Sequence, residues 1–259
     1  MLEAFFLPAE RGDRFCLVHR AAREPRGGIL YVHPFAEEMH KSRRMAALQA
    51  RRLAELGYLV LQIDLLGCGD SAGDFGDARW HLWKSDVAAG LQWLRERTER
   101  LTLWGLRLGA ALACEMSHGV ERLLLWQPVI NGEQFLSQFL RLRLASEMLA
   151  GGAATSALRE LRAELTQGRS LEIAGYELHP ELAQAIESLQ FASPPPAVKR
   201  VDWLEVGAGV RPGSQGVVER WKGAGLDVRT ATVAGEPFWS TVEITVCEPL
   251  VDATTEALR

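Results

Sequence analysis

Residues 101–116 read LTLWGLRLGAALACEM, and the rest of the chain is interpreted from this stretch. The apolar run LTLW stops at Gly105, the chain continues through Leu-Arg-Leu to Gly109, and a second run rich in alanine and leucine follows. A short apolar run bounded by glycine is typical of a buried strand, and a longer Ala/Leu run is typical of a helix. The stretch therefore predicts a strand that enters a helix through a sharp turn, with Arg107 at the centre of the turn.

On either side of this turn the chain alternates between apolar runs and helical patterns. Strands are predicted at 4–7, 14–20, 28–33, 58–65, 101–104, 122–126, 201–206 and 227–233. Helices are predicted at 45–56 and 86–94, and the chain ends in a helix through Leu258. The first two strands form a hairpin around a turn at 8–13. Strands separated by single helices imply an α/β fold, with a mostly parallel sheet covered by helices on both faces.

Between residues 130 and 196 the strand pattern gives way to helical periodicity. Helices are predicted at 135–149, 156–165 and 181–189, with a short segment at 171–178, before the three prolines at 194–196. We expect residues 1–259 to form one domain, with 130–196 as a helical cap inserted over the carboxyl edge of the sheet. The alternative is a surface elaboration that takes no part in binding.

The composition excludes several classes of partner and cofactor. The chain has 259 residues, a net charge of −4 and four cysteines at positions 16, 68, 114 and 247. A negative net charge provides no general basic field, so we expect no nucleic-acid partner. The cysteines form no C-x-x-C spacing, which indicates neither a zinc site nor a disulfide framework. The sequence therefore predicts no metal and no cofactor.

The apolar runs are too short for export or for membrane insertion. The N-terminal segment MLEAFFLPAERGDRF carries two acidic residues before Asp13 and lacks the long apolar stretch of a signal peptide. No later run approaches the ~20 apolar residues that a membrane-spanning helix needs. We therefore expect a cytoplasmic, soluble protein.

Five short motifs occur in a fixed order along the chain. They are HPF at 33–35, DLLGCGDSAGD at 64–74, WGLRLGA at 104–110, QPVINGE at 127–133 and GEPFW at 235–239. The ordered set covers nearly the whole chain and resembles the exosortase A system-associated hydrolases of the second type, which are α/β hydrolases found with a bacterial export system. The resemblance implies the α/β-hydrolase fold, hydrolysis of esters or thioesters, and a protein partner in that export system.

The turn at 105–109 corresponds to the nucleophile elbow of an α/β hydrolase, whose central residue carries the attacking oxygen. Here the central residue is Arg107, and a guanidinium only donates hydrogen bonds and stays protonated in proteins. No carboxylate follows the strand at 201–206, and Glu236 stands where a histidine is expected after the strand at 227–233. The pattern therefore predicts a degenerate triad and a fold without acyl chemistry.

The predicted binding site surrounds the same turn. Backbone N–H groups, the start of a helix and the guanidinium together favour negative charge. A buried arginine needs an anionic partner, which is either a ligand carboxylate or phosphate or, slightly favoured, an internal carboxylate. The internal candidates are Glu37, Glu38, Asp70 and Glu236. The residues expected to bind a small anionic or acyl ligand are Arg107, Leu108, His33, Phe35, Glu236 and Trp239.

An alternative hypothesis keeps the hydrolase active through a relocated nucleophile. Ser71 is the candidate nucleophile, and His33 is its candidate base. Two observations speak against this pair: serines in such turns usually bond their own backbone, and a histidine at a strand end is more often structural. A hydrogen bond between Ser71 and a histidine at the cleft would support the active form.

Overall fold

A computed structural model describes residues 1–149, 158–191 and 194–259. Its strands are β1 (Leu2–Ala9), β2 (Gly12–His19), β3 (Gly27–Val32), β4 (Tyr58–Ile63), β5 (Leu101–Leu106), β6 (Arg122–Trp126), β7 (Leu171–Ile173), β8 (Tyr176–Leu178), β9 (Arg200–Val206) and β10 (Asp227–Val233). Eight of them form one sheet in the order β1-β2-β4-β3-β5-β6-β9-β10, while β7 and β8 form a separate hairpin. β2 pairs antiparallel with β1 and β4, and the other neighbours in the sheet, along β4-β3-β5-β6-β9-β10, pair in parallel.

Helices cover both faces of this sheet. They are α1 (Glu37–Glu55), α2 (Trp80–Arg95), α3 (Leu108–Glu115), α4 (Gly132–Leu149), α5 (Leu158–Thr166), α6 (Pro180–Glu187), α7 (Pro212–Gly223) and α8 (Glu248–Ala257). Side chains alternate between the faces, so Leu30 and Val32 of β3 join one buried cluster while Ile29 and Tyr31 join the other. The prediction of a mostly parallel sheet between two helical layers is confirmed.

Helix bounds are where the sequence predictions are wrong. α1 begins at Glu37 rather than at residue 45, because its inward positions include the polar side chains Glu38 and Ser42, which break the apolar pattern. α2 begins at Trp80 rather than at residue 86. α7 was not predicted, since its glycines and charged residues conceal the periodicity. The segment at 171–178 is the β7–β8 hairpin.

The segment between β6 and β9 holds α4, α5, the β7–β8 hairpin and α6. Residues 156 and 157 of the helix predicted at 156–165 lie outside the described residues. α4 packs against α5, α6 and β7, and it contacts the loop after β3 through two aromatic rings. The ring centroid of Phe35 lies 5.7 Å from that of Phe135 and 4.9 Å from that of Phe139. This segment therefore borders the turns that follow β3 and β5.

None of the described helices is long and apolar enough to cross a membrane.

The turn between β5 and α3 has the predicted strand–turn–helix form. Arg107 adopts φ 55° and ψ −117°, which is a strained conformation for a residue with a side chain. The glycines on either side allow the backbones to approach closely. A Cβ on Gly105 would lie 2.5 Å from Ala110 Cα, and one on Gly109 would lie 2.4 Å from the carbonyl oxygens of Val32 and His33. The turn thus depends on the absence of both side chains.

We predict that Gly109→Ala lowers the free energy of unfolding by ~2–4 kcal/mol, because the new methyl group meets rigid backbone oxygens of β3 and the residue after it. Urea denaturation followed by far-UV circular dichroism measures the change. The control is Gly223→Ala at the end of α7, where a Cβ has no neighbour within 4 Å. Equal stabilities for the two variants would contradict the close approach at the turn.

Candidate functional site

The side chain of Arg107 is held by an acidic residue of α1. Arg107 Nε lies 3.0 Å from Glu38 Oε1, and the two side chains are only 13% and 12% exposed. Two aromatic rings flank the guanidinium, with Cζ 5.8 Å from the centroid of Phe135 and 5.5 Å from that of Trp239. Of the four internal carboxylates expected as partners, Glu38 is therefore the one that pairs with the arginine.

This ion pair leaves part of the guanidinium unused. Within the described residues, Nη1 and Nη2 of Arg107 donate no hydrogen bond, and only Nε has a partner. Arg107 also lines a cavity of about 120 Å³. We call it the elbow cavity, and it is lined by Phe35, Glu37, Glu38, Arg107, Phe135, Gln138, Phe139 and Leu142. The guanidinium is consequently paired without being sealed.

The carboxyl groups of this cavity are poorly solvated. Burial raises the pKa of Glu38 to about 7, although the charge and hydrogen bond of Arg107 act in the opposite direction. Burial also raises the pKa of Glu37. One oxygen of each residue, Oε2, is buried without a hydrogen-bond partner. An ionised carboxylate is costly in such a place, so the protonated form of Glu38 is accessible near neutral pH.

Two of the candidate carboxylates, Glu236 and Asp70, do not pair with Arg107. The side chain of Glu236 is exposed and forms no hydrogen bond or ion pair within the described part of the chain. Its carbonyl accepts a hydrogen bond from the N–H of Phe238, a turn that brings Trp239 rather than Glu236 toward Arg107. Asp70 is also exposed, and its N–H donates to Asp64 Oδ2.

His33 is buried and has a partner at each ring nitrogen. Nδ1 lies 2.7 Å from the carbonyl oxygen of Pro34, and Nε2 lies 3.2 Å from the N–H of Leu65. These partners assign the proton to Nδ1 and leave Nε2 as an acceptor. Burial lowers the pKa of His33, which keeps the ring neutral. The histidine therefore ties the turn after β3 to the loop after β4.

Ser71 is engaged in the same loop, and this contradicts the proposed pair with His33. Its Oγ donates to the carbonyl oxygen of Asp64 at 2.6 Å and accepts from the N–H of Phe15 at 2.9 Å. The carboxylate of Asp64 in turn accepts from Arg43 Nη2 at 2.8 Å. The hydroxyl thus bonds backbone groups of its own loop and of β2, and its partners include no histidine.

Phe35 and Leu108 lie where the sequence places them, at the turns beside the elbow. The ring of Phe35 is 2% exposed and belongs to an aromatic cluster that includes Phe75 and Trp83. Leu108 is the first residue of α3, so its N–H is one of the donors that a helix leaves without an intrahelical partner. The start of α3 therefore provides hydrogen-bond donors directly after Arg107 in the chain.

Sequence reasoning missed one buried acid because it searched only the turn after β9. Glu205 lies within that strand and is 1% exposed. Its carboxylate accepts hydrogen bonds from Trp203 Nε1, from the N–H of Arg211 and from Arg211 Nη2. Burial opposes ionisation here, yet these hydrogen bonds prevail and lower the pKa of Glu205. An arginine six residues after a strand acid was the available signal.

We predict that the unchanged protein loses stability as pH rises, because Glu38 ionises, and that Glu38→Gln does not show this loss. A folded-state pKa of about 7, above the ordinary 4.5, means that the contribution of Glu38 is complete below pH 4.5 and declines until pH has passed 7. The full difference is roughly 3 kcal/mol. Urea denaturation at pH 5, 6, 7 and 8 measures it as the gap between the two proteins. Glu55→Gln, at the exposed end of α1, should show a constant gap, and a constant gap for Glu38→Gln would contradict the assignment.

Comparison with known proteins agrees with this architecture. No protein-family model matches the chain. A stretch of 85 residues is 32% identical to a thermostable monoacylglycerol lipase of Bacillus sp. (strain H-257). It makes up 33% of this chain and 32% of the lipase, so the match spans about a third of that relative.

Two solved structures resemble the whole chain. Est1E from Butyrivibrio proteoclasticus, with ferulic acid bound, has a TM-score of 0.72 at 15% identity, covering 98% of this chain and 96% of that one. A thermostable carboxyl esterase from Bacillus coagulans has a TM-score of 0.66 at 14% identity, with 99% and 96% covered. Likeness at such identities concerns architecture alone. The chain has the α/β-hydrolase fold, as the order of its motifs predicts.

Proposed function

We propose that this α/β-hydrolase-fold protein binds a small anionic or acyl ligand, or an anionic group of a protein partner, without turning it over. The observation that carries the proposal is the state of Arg107. It stands at the centre of the elbow and lines the elbow cavity, and its two terminal nitrogens have no hydrogen-bond partner in the described chain.

The absence of turnover follows from the groups at the elbow. A guanidinium has no lone pair with which to attack a carbonyl carbon and no proton that it can release at neutral pH. Ser71 and His33 use their polar atoms in the loop after β4. Burial raises the pKa of the Cys114 thiol, which keeps it from forming a thiolate. None of these groups is a nucleophile hydrogen-bonded to a general base, which acyl transfer requires.

The preference for an anion rests on the donors around the elbow cavity. The terminal nitrogens of Arg107 match the bidentate geometry of a carboxylate or phosphate. The start of α3, which follows Arg107 directly in the chain, carries free backbone donors and the positive end of a helix dipole. Phe35, Phe139 and Leu142 supply apolar walls, and Leu142 is 37% exposed at the rim. The cavity can therefore hold an anionic head group while an acyl chain leaves along α4.

Two lines of support point to the acyl class and to the biological setting. The relative matched over 85 residues is a monoacylglycerol lipase, and the carboxyl esterase from Bacillus coagulans shares the fold. The ordered motifs resemble the exosortase A system-associated hydrolases. We accordingly place the protein with that bacterial export system, in the cytoplasm, as a binding component whose elbow has lost its nucleophile.

We predict that a fluorophosphonate probe does not label the protein and that p-nitrophenyl butyrate gives no burst. The reason is that Arg107 cannot form the covalent intermediate on which both signals depend. Intact-mass spectrometry after incubation measures labelling, with a serine hydrolase of known activity as the positive control. Stoichiometric labelling that Ser71→Ala abolishes would overturn the proposal.

We predict that butyrate binds the protein and that Arg107→Met weakens this binding at least tenfold, because the substitution removes the charged donors and keeps the apolar stem. Isothermal titration calorimetry at pH 6 gives both affinities, and 1-butanol tests whether the charge is required. The matched control is Arg44→Met, an exposed arginine of α1. Unchanged binding by Arg107→Met, or equal binding of 1-butanol, would place the ligand elsewhere.

A further inference from the structure

The buried acid that neutralises Arg107 gives the elbow cavity a further property, which rests on the proposed function. We propose that Glu38 takes up one proton when an anion enters the elbow cavity. The ligand then replaces the Glu38 carboxylate as the anion that neutralises Arg107. Glu38 is then a positioning residue that acts through the arginine.

The geometry of Glu38 sets up this exchange. Its Oε1 holds Arg107 Nε at 3.0 Å, and its Oε2 is buried without a partner. The carboxylate thus has one good interaction with the protein, while its second oxygen loses its hydration without gaining a hydrogen bond. A proton on the carboxyl removes the charge that carries this cost. Nε can still donate to the neutral group.

The charges around Glu38 decide when the proton is taken up. Arg107 approaches from the elbow, while Glu37 and Lys41 belong to α1 itself, and all three act on its titration. α4 contributes Gln138 and two phenylalanines, which carry no charge. With both glutamates ionised, the carboxylates that line the cavity outnumber its one guanidinium. An arriving anion therefore meets net repulsion until one glutamate is neutralised.

Glu38 is the glutamate best placed to respond. It is paired with the guanidinium that the ligand needs, and burial raises its pKa to about 7, so both of its protonation states are accessible near neutral pH. A ligand that binds one protonation state more tightly must shift the proton equilibrium by the same factor. Anion binding above neutral pH, where free Glu38 is mostly ionised, should consequently draw close to one proton from the solvent.

This coupling predicts which ligand state and conditions the site favours. A monoanion and one proton add no net charge to the cavity, whereas a dianion and one proton add one negative charge. Affinity for a carboxylate that stays ionised should fall as pH rises above 7, by up to about tenfold per pH unit. The cavity therefore favours monocarboxylates over dianionic phosphates, most strongly at mildly acidic pH.

Calorimetry with butyrate tests the coupling, since butyrate remains ionised from pH 6 to pH 9. Titrations at pH 8 in two buffers of different ionisation enthalpy count the protons taken up per ligand. We expect close to one proton for the unchanged protein and binding at least tenfold tighter at pH 6 than at pH 9. In Glu38→Gln we expect no proton uptake and a flat pH profile, while the control Glu55→Gln keeps both effects. Inorganic phosphate is expected to bind more weakly than butyrate at pH 8.

The outcomes separate this inference from the proposed function. Butyrate binding that depends on Arg107 but takes up no proton and does not change between pH 6 and pH 9 would overturn the coupling alone. A pH dependence that persists in Glu38→Gln would assign the proton to another group and also overturn it. If butyrate fails to bind at pH 6, the proposed function fails, and the coupling fails with it.

Discussion

The close approach of three backbone segments at the elbow is the constraint on which the rest of the structure depends. Without side chains at Gly105 and Gly109, β5, the start of α3 and the end of β3 pack backbone to backbone. Arg107, the middle of the three residues between the glycines, is then held in a strained conformation, and its side chain lines the elbow cavity together with residues of α4. In a hydrolase this strain presents a nucleophile. Here the same strain presents a fixed positive charge.

The fixed positive charge of Arg107 at the elbow cavity determines which groups can surround it. Glu38 supplies the compensating carboxylate, and the rings of Phe135 and Trp239 shield the ion pair from water. Under the proposed function, this elbow holds a permanent anion where a hydrolase stabilises a transient oxyanion. The sheet and the strand–turn–helix form of the elbow are those of the α/β-hydrolase fold.

Much of the fold could be predicted from the sequence, because the central strands β3, β4, β5 and β6 are largely apolar runs and the elbow glycines mark a sharp turn. The strands β6 and β10 were predicted with their observed bounds. The site was harder to predict because its acid lies inside a helix. Glu38 belongs to a charged run whose sequence gives no sign of which carboxylate faces inward, and that choice depends on how α1 packs against the elbow. Of the two residues predicted from the turn after β10, Trp239 lies against Arg107, while the exposed side chain of Glu236 does not pair with it.

The central claim is that the terminal nitrogens of Arg107 are the anion-binding atoms of this protein. The most direct test is nitrogen-15 NMR of the arginine side chains, with the signals of Arg107 assigned by comparison with Arg107→Lys, during titration with butyrate. The account predicts a saturable shift of the Arg107 signals, larger than that of any other arginine. Saturable binding with the Arg107 signals unmoved would contradict it.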